Sequence, residues 1–206
     1  INGRTGVLTD DTITVGNNLT GVAVDQGDDT VYVTNFNSFN VSVINGRTGV
    51  LTDDTITVGN NPRGVAVDQG DDTVYVTNYS SGNVSVINGR TGVLTDDTIT
   101  VGTYPSGVAV DQGDDTVYVT NFGSFNVSVI NGRTGVLTDD TITVGNNLTG
   151  VAVDQGDDTV YVTNFNSFNV SVINGRTGTV DDTITVGDNP YGVAVDGSGT
   201  NAGLVY

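Results

Sequence analysis

The side chains able to do chemistry in this chain are few. Its 206 residues include 24 acidic ones, all Asp, 6 basic ones, all Arg, and 8 Tyr, with no Glu, Lys, His, Cys, Met or Trp. Without His there is no Ser-His-Asp or Cys-His triad. Without Cys there is no disulfide, thiol chemistry, zinc knuckle or iron–sulfur ligation. Without Lys there is no Schiff base and no P-loop lysine. A formal charge of −18 repels a phosphate backbone, so nucleic acid is excluded as an expected partner. What remains is carboxylate chemistry. Two Asp about 5–9.5 Å apart across a sugar can hydrolyse a glycosidic bond, and clustered hard oxygens can bind Ca²⁺.

The Asp pattern bears on both. Asp25, Asp28 and Asp29 recur as Asp68, Asp71 and Asp72, as Asp111, Asp114 and Asp115, and as Asp154, Asp157 and Asp158, while Asp10 and Asp11 open a second recurring pair. The spacing is not that of an EF-hand and Glu is absent, whereas Asp favours turns by bonding its own backbone. Solvated turn carboxylates are therefore expected, with Ca²⁺ or another divalent cation on these twelve residues as the alternative and no other cofactor. Only Asp181, Asp182, Asp188 and Asp196 stand outside the near-perfect copies. A catalytic pair needs asymmetric placement, so repeated Asp reads as scaffold: no catalytic residue is assigned and no enzyme activity is expected.

The elements that must position these residues follow from a repeat. Ile-Asn-Gly-Arg-Thr-Gly starts at Ile1, Ile44, Ile87, Ile130 and Ile173, giving repeats 1–43, 44–86, 87–129, 130–172 and a partial 173–206 in one domain, with the first and fourth identical. A 43-residue period matches a four-stranded propeller blade. The 37 Val, 32 Thr and 10 Ile favour strands. Within one repeat, Gly21–Asp25 reads as inner strand A, Thr30–Thr34 as B, Asn40–Ile44 as C and Thr12–Val15 as outer strand D. Asn45–Gly49 follows C, its Asn-Gly pair supplying the positive φ of a tight turn. The fold class is all-β: a propeller of five blades, the last incomplete. No apolar run is long enough to span a membrane. The first residue is Ile with no signal-like segment, so a mature form or a piece of something longer is expected.

Tyr32-Val33-Thr34-Asn35 recurs at Tyr75–Asn78, Tyr118–Asn121 and Tyr161–Asn164, followed by Asn-Val-Ser-Val-Ile and by Val-Gly-x-x-Pro-x-Gly-Val-Ala-Val, best seen at Val58–Val67. The chain thereby resembles, along its whole length, the YVTN β-propeller repeat family of surface-layer and other surface proteins. The resemblance implies a propeller and a cell-surface or extracellular setting, and no catalytic residues. Leu19 and Leu148 stand where the family usually has Pro, and the fifth repeat is degenerate.

All differences among the first four repeats fall in the D-to-A and B-to-C loops, which emerge on one face of an up-and-down blade. That face would carry Asn18, Phe36, Phe39, Arg63, Tyr79, Tyr104, Phe122, Phe125, Asn147, Phe165, Phe168 and Tyr191, a set suited to protein or glycan contacts. Neutral drift of loops is the competing reading. Of seven Asn-x-Ser/Thr sequons, Asn18, Asn78 and Asn147 lie in or beside loops and are the better glycosylation acceptors.

Matching Tyr206 to Tyr32 leaves the equivalents of Val33–Val43 absent from the last blade. An open β edge is a template for another strand. The gap is filled by a neighbouring copy, as in strand complementation, or by residues outside this sequence, or the blade is three-stranded, or the ring is larger. The sequence thus points to a non-catalytic extracellular or cell-surface structural and interaction module of surface-layer or adhesin type. A lectin-like glycan-binding propeller is the alternative, and a glycosidase or lyase comes third.

Overall fold

The computed structural model describes residues 12–196 and 204–205, with the backbone alone at 53, 54, 96, 97, 139, 140, 204 and 205. Every regular element among the described residues is a strand. The first sheet is β1 (Leu19–Asp25), β2 (Thr30–Asn35), β3 (Asn40–Asn45) and β4 (Val50–Thr57), hydrogen-bonded in that order. The same meander repeats in β5 (Pro62–Asp68), β6 (Thr73–Asn78), β7 (Asn83–Asn88) and β8 (Val93–Thr100). It returns in β9 (Pro105–Asp111), β10 (Thr116–Asn121), β11 (Asn126–Asn131) and β12 (Val136–Thr143), and in β13 (Leu148–Asp154), β14 (Thr159–Asn164), β15 (Asn169–Asn174) and β16 (Thr179–Thr185). A two-stranded fifth sheet pairs β17 (Val195–Asp196) with β18 (Leu204–Val205). Its register, Val195↔Val205 and Asp196↔Leu204, copies Val24↔Val31 and Asp25↔Thr30 of the first blade. The inner strands β1, β5, β9 and β13 lie side by side, so the sheets are blades of a propeller.

The core is between blades. Tyr32, Val41 and Val43 of the first blade pack on Val67, Val74, Val76 and Ile87 of the second, and two equivalent clusters join the second to the third and the third to the fourth. The Tyr-Val-Thr-Asn tetrapeptide acts as the fastener across each seam. Tyr32 Oη donates to Gly89 O of the next blade at 3.1 Å, and Tyr75 and Tyr118 repeat this to Gly132 and Gly175. Thr34 Oγ1 accepts from Gly21 N at 2.8 Å and donates to Arg63 O of the next blade at 2.9 Å. Asn35 is fully buried and ties B to C through Asn40 and Ser42. Gly21 permits this closeness: a Cβ there would stand 2.6 Å from Arg63 O.

Three local expectations change. Strand D is longer than Thr12–Val15 implies, since its equivalents begin at Val50, Val93 and Val136, so the Asp-Asp pair lies inside the strand. The extra residues bulge: Ser42 pairs with Thr55 and Ile44 with Leu51, so two surplus residues oppose Val43. In β16 the fifth repeat is one residue shorter, and the pairs Val172↔Asp182 and Ile173↔Val180 leave one surplus residue. Residues 12–15 themselves form no strand; Asp10 and Asp11 lie outside the described residues. Finally, the positive φ of the C-to-D turn belongs to Gly49 (69°) and not to the Asn-Gly pair. Gly46 is needed instead for close approach, because a Cβ there would meet Asp29 O at 2.6 Å.

Candidate binding face at the channel mouth

The D-to-A and B-to-C loops do share one face, and they are laced together. Phe36 N donates to Asn18 O at 2.9 Å and Asn17 N to Ser38 Oγ at 2.9 Å, with the same serine clasp at Ser81, Ser124 and Ser167. The inner strands enclose a central channel of about 240 Å³ whose lining includes Thr20, Arg63, Ser106, Thr149 and Tyr191, the same repeat position five times over. At this position the repeats differ, so the channel mouth is asymmetric although the blades are not.

The differences converge. Arg63 sits with its guanidinium 5.2 Å from the Tyr79 ring centroid and 5.5 Å from that of Tyr191, and donates to Tyr191 Oη. Tyr79 stacks on Tyr104 with centroids 4.8 Å apart and planes at 17°, and has Phe36 and Phe122 tilted beside it at 6.3 and 6.2 Å. Asn18, Thr20, Phe36, Arg63, Tyr79 and Tyr191 border a cleft of about 300 Å³. Of the twelve residues expected on this face, six meet around Arg63; Phe39, Phe125, Asn147, Phe165 and Phe168 share the face but make no ring contact with that group, and Asn18 borders the cleft only. Sequence comparison could not have found one feature: Tyr104 has φ 54°, at a loop position filled by Asn in the other repeats (Asn18, Asn61, Asn147, Asn189). Phe39, Phe125 and Phe168 also have positive φ, 56–59°, and are exposed. Asn tolerates this left-handed region and aromatic residues do so poorly.

The Asp residues of the opposite face divide into three roles. Asp25, Asp68, Asp111 and Asp154 are buried, so they are not the solvated carboxylates expected; burial wins because each Oδ1 accepts from the glycine N–H two residues on at 2.9 Å. The Oδ2 atoms of Asp25, Asp68 and Asp111 are buried with no protein partner among the described residues. Burial foremost pushes the Asp68 and Asp111 carboxyls up, opposed by the glycine N–H and reinforced by neighbouring Asp71 and Asp115, or Asp114 and Asp158. Asp28, Asp71 and Asp157 accept from the threonine N–H that starts strand B. Asp29, Asp72, Asp115 and Asp158 pair with Arg47, Arg90, Arg133 and Arg176. Among the described residues no three carboxylates gather where they could hold a metal ion. Of the glycosylation candidates, Asn78 is fully buried and donates to Asn83 and Ser85, which bars a glycan there; Asn18 is exposed and Asn147 half-buried.

No family model matches the chain. No curated protein matches it. Solved structures do match: a chain of Kuenenia stuttgartiensis hydrazine synthase aligns with a TM-score of 0.80 at 22% identity, over 95% of this chain and 55% of its own. The chain is a multi-blade β-propeller. At that identity the likeness shows the fold alone, and the present chain spans about half of its counterpart's length. No described helix is long and apolar enough to cross a membrane.

Proposed function

We propose that this chain is a non-catalytic binding propeller of the YVTN type, working at a cell surface or outside the cell, and that it binds through the variable-loop face. One observation carries the reading. Residues that differ between otherwise near-identical repeats (Arg63 and Tyr79 from the second, Tyr104 from the third, Tyr191 from the fifth) come together in one cluster at the channel mouth. Drift would place substitutions without regard to one another. The non-catalytic reading is supported by the carboxylates, whose buried and paired members repeat from blade to blade and are engaged in turn bonds or arginine pairs.

The test probes a glycan array and immobilised cell-envelope proteins with the wild-type chain and a Tyr79→Ala/Tyr104→Ala variant. Binding lost in that variant, and kept in an Asp71→Asn variant of the opposite face, supports the reading; binding unchanged in both, or absent throughout, overturns it. Self-assembly belongs to the same proposal. Val22 is 66% exposed on β1, and Ile184 is 42% exposed where its counterpart Ile142 is 5%. Because the first and fourth repeats are identical in sequence, a second copy can offer the surface that covers these residues between blades. Sedimentation velocity showing a concentration-independent monomer rules this out.

A further inference from the structure

We infer that the Arg63 cleft takes a carboxylate-bearing sugar, a uronic-acid residue of an acidic polysaccharide; this deepens the binding reading above and rests on it. Four of the five described arginines are paired with an Asp, whereas Arg63 has no carboxylate partner among the described residues. It is also the single cation among the described residues of a face whose loops carry one acidic residue, Asp188, while the other carboxylates belong to the A-to-B turns and strand D. A guanidinium presents a planar fork that matches a carboxylate with two parallel hydrogen bonds, and here Tyr79 and Tyr191 hold it by their ring faces. The chain's charge of −18 opposes an anion. Yet the A-to-B turns lie a strand's length away, roughly 20 Å, and the screening length in physiological salt is about 8 Å, so the local cation decides.

The remaining lining fits a sugar better than an acidic peptide. The cleft, about 300 Å³, is at the small end of ligand sites. Beside Arg63 its lining includes the Phe36 and Tyr79 rings and the Asn18 amide, which makes no side-chain hydrogen bond among the described residues. The stacked Tyr104, 46% exposed, extends the aromatic surface outward from Tyr79. Tyr104 sits at φ 54° in a position the other repeats give to Asn, a left-handed backbone that aromatic residues adopt poorly.

Calorimetric titration of the intact chain tests the inference with tetramers of galacturonate, glucuronate, mannuronate and guluronate, each beside its carboxyl-reduced counterpart, and with tetraglutamate peptide. The expected result is binding of at least one uronide, loss of its carboxyl-reduced form, and at least about tenfold weakening in Arg63→Ala, with partial recovery in Arg63→Lys. Melting temperatures of the variants within a few degrees of the wild type show that they fold. Equal binding of the reduced sugar, preference for tetraglutamate, or an Arg63→Ala variant that binds as well as the wild type overturns it. If no uronide binds while the Tyr79→Ala/Tyr104→Ala variant still loses envelope or neutral-glycan binding, the sugar class is wrong and the binding face stands.

Discussion

Tyr32, Tyr75 and Tyr118 hold their phenols against the next blade, and burial, together with the facing Asp28, Asp25 and Asp72 for Tyr32 and their counterparts for the others, resists ionisation. Tyr32 is pushed up to about 12, and Tyr75 and Tyr118 also lie above the ordinary phenol range. An unfolded tyrosine ionises near ~10, so the stabilisation these groups lend is complete below that and is lost as pH rises through the folded value. Thermal melts from pH 9 to 12 are expected to show falling stability, with a shallower fall in Tyr75→Phe. The buried carboxylates are shifted in the same direction but titrate in the acid range. Asp68 and Asp111 are raised by burial, so they cost stability at neutral pH and the penalty is relieved as pH falls through their raised values toward the ordinary ~3.9. Asp68→Asn/Asp111→Asn keeps the Oδ1 acceptor for Gly70 and Gly113 and removes the charge. Its melting temperature is expected to exceed the wild type's at pH 7, the gap closing toward pH 4. An equal gap at both pH values refutes this account. The sequence shows these Asp in turns, but not that one in each of the first four repeats is buried, because burial depends on packing that local spacing does not encode.

Strands A and B of a blade are held to the next blade by a glycine and a threonine. Thr77 Oγ1 accepts from Gly64 N at 2.8 Å and donates to Ser106 O at 2.9 Å. Thr77→Val keeps the shape and leaves both backbone groups without that partner, for an expected loss of about 1–3 kcal/mol in urea unfolding. Gly64→Ala places a Cβ 2.6 Å from Ser106 O, so the inner strands must part. That overpacking is expected to cost about 1–3 kcal/mol or more. At this scale three of four strands were legible to within two residues from period-2 alternation and turn residues. Strand D was not, because its Asp-Asp pair reads as a turn by composition, whereas pairing with strand C carries it through a bulge. Stabilisation by cross-strand pairing overrides local preference there.

Three inter-blade cores join the four four-stranded blades. Blade stability therefore depends on neighbours, as in other nearest-neighbour repeat arrays. Amide hydrogen exchange is expected to be slowest in β6 and β10, buried between blades on both sides, and faster in β16, whose residues are all exposed. Uniform protection across the four blades would contradict this. Tandem identity also concentrates charge: the carboxylates repeat on the turn face and outer strands. Added salt is expected to raise the melting temperature by screening that self-repulsion.

The repeat, the strand content, the sharing of one face by the variable loops and the missing catalytic chemistries were all present in the linear order of residues. Each depends on period, composition or alternation, which are properties of neighbours along the chain. The meeting of Arg63 with Tyr79, Tyr104 and Tyr191, the burial of Asp25 and Asn78, and the left-handed backbone at Tyr104 were decided only in the folded molecule. Arg63 and Tyr191 lie 128 positions apart, and they touch because the curvature of stacked blades turns both toward one channel mouth. That curvature is set by packing between sheets, and no local pattern in the sequence encodes it.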